Sequence, residues 1–285
     1  MIAPECKEVL RSLGIRTFVE TGTDMAETVA QVSRWFSAWD ADFGRIADTV
    51  ETGARSYSAG SERIRYPQFE DAGDSDYAIH SVDLDPHSYH AARKLFASNP
   101  NITLYHKSSE AFVGEFVEKI LESASNDGLF FYLDAHWGKY WPLRDELRQI
   151  LRLERCVVCI DDFFVPGKSD ASKPHGDFGF DVYQGTVLDW GYVRDAYGDR
   201  PVSVAYPTRS NRDGRGWVLI FAGYSEEELA RLDGVDFFSL AADDPLHCRP
   251  TKLRPLALLD TRNLVKRIVP LELLRSTLRL YQRLV

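Results

Sequence analysis

The sequence has little of three features that would define other classes of protein: cysteine, long apolar segments and excess positive charge. Four cysteines in 285 residues are too few and too scattered for a disulfide scaffold. No apolar run is long enough to cross a bilayer. Residues 1–15 carry charges where a secretion signal would need an apolar stretch. We therefore expect a cytoplasmic protein.

The charge balance is acidic. A formal net charge of −9 argues against a broad nucleic-acid interface, because phosphate binding normally needs a basic face. We therefore expect no nucleic-acid partner. Hydrophobic residues make up 44% of the chain and charged residues 27%, which is typical of a globular protein that buries a sizeable core.

Two of the cysteines form a C-x-x-C motif, the pattern of many metal sites. Cys156 and Cys159 lie inside the apolar run CVVCI, which reads as a strand. Residues three apart on a strand point to opposite faces, so this pair is poorly placed to share a metal ion. We interpret both as core thiols.

Apolar, strand-like runs alternate with segments of helical period along most of the chain. This order predicts right-handed crossovers and a mainly parallel sheet that is covered on both faces. We therefore predict an α/β fold with a doubly wound, Rossmann-like sheet of about seven strands and an antiparallel C-terminal strand. The predicted strands are Arg16–Glu20, Tyr77–Asp83, Ile102–His106, Leu129–Asp134, Cys156–Asp161, Val202–Tyr206 and Trp217–Phe221.

The chain divides into a predicted domain over residues 1–224 and an extension over 225–285. An insertion at about 40–76 and a Gly- and Pro-rich loop at about 163–180 interrupt the domain, and a helix is predicted near Val182–Ala196. The extension contains a basic amphipathic helix with Arg275, Arg279 and Arg283 at helical spacing. We expect it to pack on its own domain or in a homo-oligomer, with membrane contact the less favoured alternative.

Acidic residues crowd one edge of the predicted sheet. In an open parallel sheet, ligands bind at the carboxyl ends of the strands, near the point where strand order reverses. Some of these acids are explained as helix caps, but the whole set is more than capping requires. The acids at this edge are Glu20, Asp83, Asp85, Asp134, Asp161 and Asp162.

The first turn, Glu20-Thr-Gly-Thr-Asp24, lacks the G-x-G-x-x-G pattern of dinucleotide folds. Gly22 provides a tight turn, but the missing glycines disfavour close approach of a pyrophosphate. An acid at the end of the second strand, Asp83, suits hydrogen bonding to ribose hydroxyls. Together these features favour an adenosine-type ligand without a pyrophosphate.

Four motifs in this order resemble the class I S-adenosylmethionine-dependent methyltransferases. They are Glu20-Thr-Gly22, Ser-Val-Asp83-Leu-Asp-Pro, Tyr-Leu-Asp134-Ala-His-Trp137 and Cys-Ile-Asp161-Asp162-Phe. The resemblance covers roughly Arg16–Gly167 and the last strand pair. It is nearer to the small-molecule O-methyltransferases of the catechol and macrolide-sugar type.

This resemblance implies a role for each matching position. Glu20 and Gly22 fall where the family holds the methionine end of S-adenosylmethionine, and Asp83 where it binds the ribose. Ser108 or Ser109 falls where the adenine is contacted. Asp134 falls beside the cofactor as well.

The resemblance also implies a magnesium-like ion at Asp134, Asp161 and Asp162. Mg²⁺ takes carboxylate oxygens, and a divalent ion would neutralise acids that otherwise repel one another. Such an ion would also lower the pKa of an acceptor hydroxyl. The alternative is that Asp134 and Asp161 have buried Arg or backbone partners and that Asp162 caps a turn.

Methyl transfer to oxygen needs a deprotonated acceptor. Two residues in the segment that follows Asp134 are candidates for the base that removes the proton. His136 is the first candidate and Lys139 the second. The alternative is that His136 merely packs as a neutral ring. Trp137, Tyr140 and Trp141 either line an acceptor pocket or close the core.

We therefore predict a methyltransferase that uses S-adenosylmethionine for metal-assisted O-methylation of a small hydroxylated acceptor, such as a sugar or natural-product intermediate. A metal-independent enzyme of the same fold is a close variant. A nucleotide-sugar glycosyltransferase that uses Asp83-Leu-Asp85 as a D-x-D motif is an alternative from another class. A non-catalytic S-adenosylmethionine-binding protein is a third.

Overall fold

The structure is a computed structural model, and it describes residues 2–42, 77–123, 128–135, 140–197, 200–232 and 237–238. The strands are β1 Thr17–Thr21, β2 Ala78–Asp83, β3 Ile102–His106, β4 Leu129–Leu133, β5 Cys156–Ile160, β6 Val182–Tyr183, β7 Thr186–Val187, β8 Val202–Pro207, β9 Val218–Ala222 and β10 Phe237–Phe238. The α-helices are α1 Glu5–Ser12, α2 Glu27–Asp42, α3 Pro86–Leu95, α4 Ser109–Ser123, α5 Leu143–Ile150, α6 Trp190–Val193 and α7 Glu226–Leu229.

The main sheet is doubly wound and mostly parallel, as predicted. Its strand order is β10-β8-β9-β5-β4-β1-β2-β3. Strands β1 to β5 pair in parallel, whereas β9 is antiparallel to both β5 and β8. The chain runs outward from β1 to β3 and then returns to β4 on the other side of β1. Strand order therefore reverses between β1 and β4, which is where ligands bind in such sheets.

The central strands are apolar throughout because helices cover both faces of the sheet. Every residue of β4, LFFYL, and of β5, CVVCI, is buried. One core cluster packs β4 and β5 against α4 and α5, and the other packs them against α1, α2 and α3. Cys156 lies in the first cluster and Cys159 in the second, so the two thiols point to opposite faces as expected.

The prediction of a helix near Val182–Ala196 is wrong over its first half. Strands β6 and β7 form a hairpin there, and only Trp190–Ala196 is helical, as α6 followed by a 3₁₀ turn. Gln184 and Gly185 join the strands with φ of +49° and +79°. Positive φ at both central residues is the geometry of the tight turns that match the twist of paired strands, and it ends any helix.

Part of the C-terminal extension joins the fold. Ser225 caps α7 through its hydroxyl and Glu228 in a capping box, and β10 adds to the sheet beside β8. The predicted basic helix with Arg275, Arg279 and Arg283 lies outside the described residues, as does nearly all of the insertion at 40–76. Within the described ranges, no helix has both the length and the apolar character to span a bilayer.

Gly14 and Gly22 lie on either side of β1 and provide a matched test of how tightly the edge of the sheet is built. Both have positive φ, +65° and +88°, but only Gly22 is crowded. A Cβ at Gly22 would lie 2.9 Å from the carbonyl oxygen of Asp134, whereas nothing lies within 4 Å of one at Gly14.

We predict that Gly14→Ala lowers the free energy of unfolding by about 1 kcal/mol, the cost of a left-handed alanine. Gly22→Ala should lower it by about 3 kcal/mol, since β1 and β4 must also separate. Urea unfolding of both variants checks this. Equal losses would show that the contact between the first turn and β4 is not tight.

Candidate active site at the carboxyl ends of the strands

Three residues of the turn after β1 adopt the left-handed backbone conformation that favours glycine, although only one of them is a glycine. Gly22, Asp24 and Ala26 all have positive φ, of +88°, +41° and +60°. Asp tolerates this region better than most residues, whereas Ala pays a steric cost. The amides of Gly22 and Thr23 both donate to the carbonyl of Val82, which ties the turn to β2. The alternating left-handed positions curl the backbone around the end of β1.

Glu20, the last-but-one residue of β1, is a buried acid with a chain of hydroxyl partners. Ser81 Oγ donates to Glu20 Oε2 at 2.6 Å, and Ser81 and Thr23 share a hydrogen bond of 2.7 Å between their hydroxyls. Burial raises the pKa of Glu20 to about 8, although the hydrogen bond from Ser81 opposes this shift. Without a cationic ligand, the Glu20 carboxyl is therefore mostly protonated at neutral pH.

Asp83, at the end of β2, binds two backbone amides. Its Oδ2 accepts the N–H of Asp24 at 2.8 Å, and its Oδ1 accepts the N–H of Asp85 at 2.7 Å. Each carboxylate oxygen has two lone-pair directions, so each retains capacity for one more donor. Asp85 instead caps α3, with Oδ2 accepting from the amide and hydroxyl of Ser88. The two acids of the D-x-D motif thus have different structural roles.

Two large apolar side chains are exposed beside Asp83. Met25 follows β1 and is 61% exposed, and Leu84 follows β2 and is 44% exposed. They provide an apolar surface next to the Asp83 carboxylate.

The second half of the edge contains three acids at the ends of β4 and β5. Burial, followed by repulsion from Asp161 and Asp162, raises the pKa of Asp134 well above its usual range. Burial and repulsion from Asp162 raise the pKa of Asp161 to about 6. The three carboxyl groups therefore lie close enough to interact electrostatically, and their predicted role as metal ligands stays a prediction.

Asp161 has protein partners for both of its oxygens. The hydroxyl of Tyr132 donates to Oδ2 at 2.5 Å, and the side-chain amide of Asn211 donates to Oδ1 at 3.1 Å. Tyr132 comes from β4, and Asn211 comes from the connection between β8 and β9. Two neutral donors thus stabilise this carboxylate.

Arg215 neutralises the neighbouring acids. Its guanidinium contacts Asp162 Oδ1 through Nε at 2.5 Å and Asp181 Oδ1 through Nη2 at 2.5 Å. A third donor, Nη1, binds the carbonyl of Pro174 at 3.1 Å. One guanidinium therefore joins the end of β5, the loop at 163–180 and the residue that precedes the β6–β7 hairpin.

These contacts bear on the predicted metal ion. A divalent cation of the magnesium type needs several free oxygen ligands. The guanidinium of Arg215 already supplies a positive charge at Asp162 and would repel a divalent ion there, and Asp161 has two protein donors of its own. In the part of the chain that the structure describes, no group of three or more His, Cys, Asp or Glu residues is arranged to hold a metal. The residues as arranged do not fit the ion, and the metal stays a prediction.

A small cleft lies beside these acids. Strands β4 and β5 form its floor, with α5 on one side and the segment Asp181–Leu188 on the other. Trp141 forms an aromatic wall, and its ring contacts Tyr183 and Tyr192 at centroid distances of 5.5 and 5.1 Å. Glu146 of α5 also lines the cleft, although its side chain is completely buried.

The other predicted residues fall in different places. Ser109 is buried at the start of α4, Ser108 precedes it and is half-buried, and Tyr140 is exposed and donates to Asp145. His136, Trp137 and Lys139 lie outside the described residues, so the roles of His136 and Lys139 in catalysis stay predictions.

Sequence reasoning missed Glu146, Arg215 and Asn211. Glu146 carried a signal, because it occupies an inward position of an amphipathic helix together with Leu143, Leu147 and Ile150. An acid in such a stripe is either paired or functional. Arg215 and Asn211 lie in a polar connection with no comparable signal, about 50 residues from the acids they bind.

No family model matches the sequence, and no curated protein matches it. Solved structures that resemble it include the CMeT domain of the citrinin polyketide synthase, at 12% identity over 74% of this chain and 47% of that one, with a TM-score of 0.40. This chain therefore spans about half of that neighbour. A SAM-dependent methyltransferase from Aquifex aeolicus is 12% identical over 78% of this chain and 89% of its own, with a TM-score of 0.40.

The N-terminal domain of EvdMO1 with SAH bound is 8% identical over 78% of this chain and 80% of its own, with a TM-score of 0.38. TM-scores below 0.5 do not establish a common fold. The architecture described above rests on the strand order and register of this chain itself.

We predict that Arg215→Met lowers the free energy of unfolding by about 3 kcal/mol, because it removes the guanidinium that compensates the charges of Asp162 and Asp181. Arg148→Met is the control. Its pair with Asp145 is exposed, and we expect a loss below about 0.5 kcal/mol. Chemical denaturation at pH 7 measures both. Equal small losses would show that Arg215 does not neutralise the acidic edge.

Proposed function

We propose that the protein is an S-adenosylmethionine-dependent methyltransferase that methylates a hydroxyl of a small acceptor, such as a sugar or a natural-product intermediate. The observation that carries the proposal is the convergence of Glu20, Gly22, Asp83 and Asp134 at the point where strand order reverses. The resemblance of the four sequence motifs supports the same conclusion.

The β2 side of the edge suits an adenosine group. Asp83 retains one lone pair on each oxygen, which matches two neighbouring ribose hydroxyls. The exposed side chains of Met25 and Leu84 offer an apolar surface for a purine. An adenosine group bound in this way carries no pyrophosphate, which agrees with the single glycine of the turn.

The β1 and β4 side suits a positively charged group. Glu20 is buried and Asp134 is half-buried, and loss of solvent raises the pKa of both carboxyl groups. A cation within reach would favour their ionised forms and restore the usual range of their pKa. Bound S-adenosylmethionine carries an ammonium and a sulfonium, and it supplies the electrophilic methyl group.

Gly22 contributes space. A Cβ at this position would meet the backbone of Asp134 and Ala135, at 2.9 to 3.1 Å. The glycine therefore lets the first turn lie directly on the end of β4, which brings Glu20 and the cleft beside Asp134 to the same edge. Holding a donor and an acceptor in adjacent sites supplies much of the catalysis in methyl transfer.

The acceptor would bind in the cleft beside Asp134 and Trp141, with water excluded by the hairpin and α5. His136 or Lys139 would then remove the proton of the acceptor hydroxyl, as the sequence predicts. The divalent ion predicted at Asp134, Asp161 and Asp162 has no part in this mechanism, because Tyr132, Asn211 and Arg215 already hold two of these acids.

Calorimetric titration with S-adenosylhomocysteine tests the proposal. We predict that the wild type binds and that Asp83→Asn weakens binding at least about tenfold, because the amide removes one acceptor for the ribose hydroxyls. Asp85→Asn is the matched control. Asparagine caps helices as well as aspartate does, so α3 stays capped and the affinity should stay unchanged.

The same pair of variants separates the two enzyme classes. A glycosyltransferase would use both acids of the D-x-D motif to hold a metal–diphosphate. Binding of uridine diphosphate with Mn²⁺ that both variants abolish, with no binding of S-adenosylhomocysteine to the wild type, would contradict the proposed function.

A further inference from the structure

The cleft beside the proposed cofactor site has an unbalanced charge. Among the described residues that line it, every charged one is acidic: Asp134, Glu146, Asp161, Asp162 and Asp181. Arg215 neutralises Asp162 and Asp181, and the neutral donors Tyr132 and Asn211 hold Asp161. The remaining lining is apolar, apart from the indole of Trp141.

Glu146 differs from the other acids because it has no hydrogen-bonding partner. Its side chain is completely buried, and neither carboxyl oxygen bonds to any group in the described part of the chain. The hydroxyls of Thr21 and Ser109 are near enough to lower its pKa, but neither is within hydrogen-bonding geometry. A buried carboxyl without a partner costs stability, so its presence needs an explanation.

The charged groups that face Glu146 offer no compensation. Glu110 on α4 and Asp145 on α5 are both acidic, and both raise its pKa. The phenols of Tyr140 and Tyr192 are the other titratable groups that interact with it. The two cations of the same helix have other partners: Arg144 binds the carbonyl of Tyr192 through Nε and lies over that ring, and Arg148 pairs with Asp145.

We infer that Glu146 recognises the acceptor by binding a protonated amine of the acceptor in this cleft, an inference that rests on the proposed methyltransferase function. An ammonium stabilises the ionised form of this buried carboxyl and supplies several N–H donors to its oxygens. A neutral hydroxyl supplies one donor and no charge to stabilise the ionised form. The acceptor is therefore a small amine-bearing molecule, such as an amino sugar.

Two features of the cleft favour an ammonium over a metal ion. Trp141 offers an aromatic face to the same space, and aromatic faces attract alkylammonium groups. A divalent ion needs several oxygen ligands around it, and at Asp162 the guanidinium of Arg215 would repel it. An ammonium needs only Glu146 and one or two further acceptors.

Thermal unfolding in alkylammonium salts tests this inference. We compare ethylammonium chloride with potassium chloride at about 50 mM and equal ionic strength. The pH is 8.5, where the Glu146 carboxyl, with its pKa raised to about 8, is mostly ionised. Ethylammonium should raise the Tm of the wild type by about 2 °C. It should leave Glu146→Gln unchanged, whereas the exposed control Glu122→Gln should respond as the wild type does.

Equal responses of the wild type and Glu146→Gln would overturn the inference. A rise in Tm with magnesium chloride but none with ethylammonium would also overturn it, because the cleft would then take a metal ion. Should Glu146→Gln fail to fold, Glu146→Asp takes its place, and the shorter side chain should reduce the response to less than half.

Titration of Glu146→Gln with S-adenosylhomocysteine separates this inference from the proposed function. The variant should bind S-adenosylhomocysteine as the wild type does, since Glu146 lies outside the proposed cofactor site. Absence of binding in the wild type would contradict the methyltransferase function, and the ethylammonium result would still report on the cleft.

Discussion

The burial of carboxyl groups at one edge of the sheet is the constraint on which the rest of this structure depends. An ionised carboxylate in a poorly solvated site is strongly unfavourable unless hydrogen bonds or a cation compensate it. The fold uses three kinds of compensation. Backbone amides hold Asp83, the guanidinium of Arg215 holds Asp162, and Glu20 keeps its proton near neutral pH. The hydrogen bonds of Asp83 and the ion pair of Asp162 each hold a different segment of the chain at this edge.

The same contacts attach the long loops to the edge of the sheet. Arg215 reaches Asp162, Asp181 and the carbonyl of Pro174, so it joins three segments that share no regular secondary structure. Gly216 strengthens this connection, because its amide donates to the carbonyl of Gly179 and its carbonyl accepts from Phe163. Asp162 and Asp181 would repel each other without Arg215. Because they share its guanidinium, they instead attach the loop at 163–180 and the β6–β7 hairpin to the edge of the sheet.

The fold was largely predictable because burial on both faces leaves a simple trace in the sequence. The runs LFFYL and CVVCI are apolar at every position, as expected of strands that are covered by helices on both faces. The acids at the ends of those strands were predictable as well, because each apolar run in the sequence ends directly before an aspartate. The hairpin at Val182–Val187 was missed because its turn, Gln184-Gly185, contains only one residue that favours positive φ.

The candidate site was less predictable, since its contacts join distant parts of the sequence. Nothing local shows that Arg215 meets Asp162, 53 residues away. Glu146 is the exception, because an acid within the inward stripe of α5 is visible in the sequence and conflicts with its amphipathic pattern. Such a conflict between local pattern and chemistry often marks a functional position.

The central claim is that the buried acids of this edge bind a cationic ligand. The number of protons released when S-adenosylmethionine binds tests this claim most directly. Glu20 has a pKa raised to about 8, so it holds its proton at pH 7, and a cation bound beside it would lower that pKa and release the proton. Titration of S-adenosylmethionine at pH 7, in two buffers of different ionisation enthalpy, measures this release. The account predicts release of roughly one proton per ligand bound, reduced in Glu20→Gln. Binding with the same heat in both buffers would contradict it.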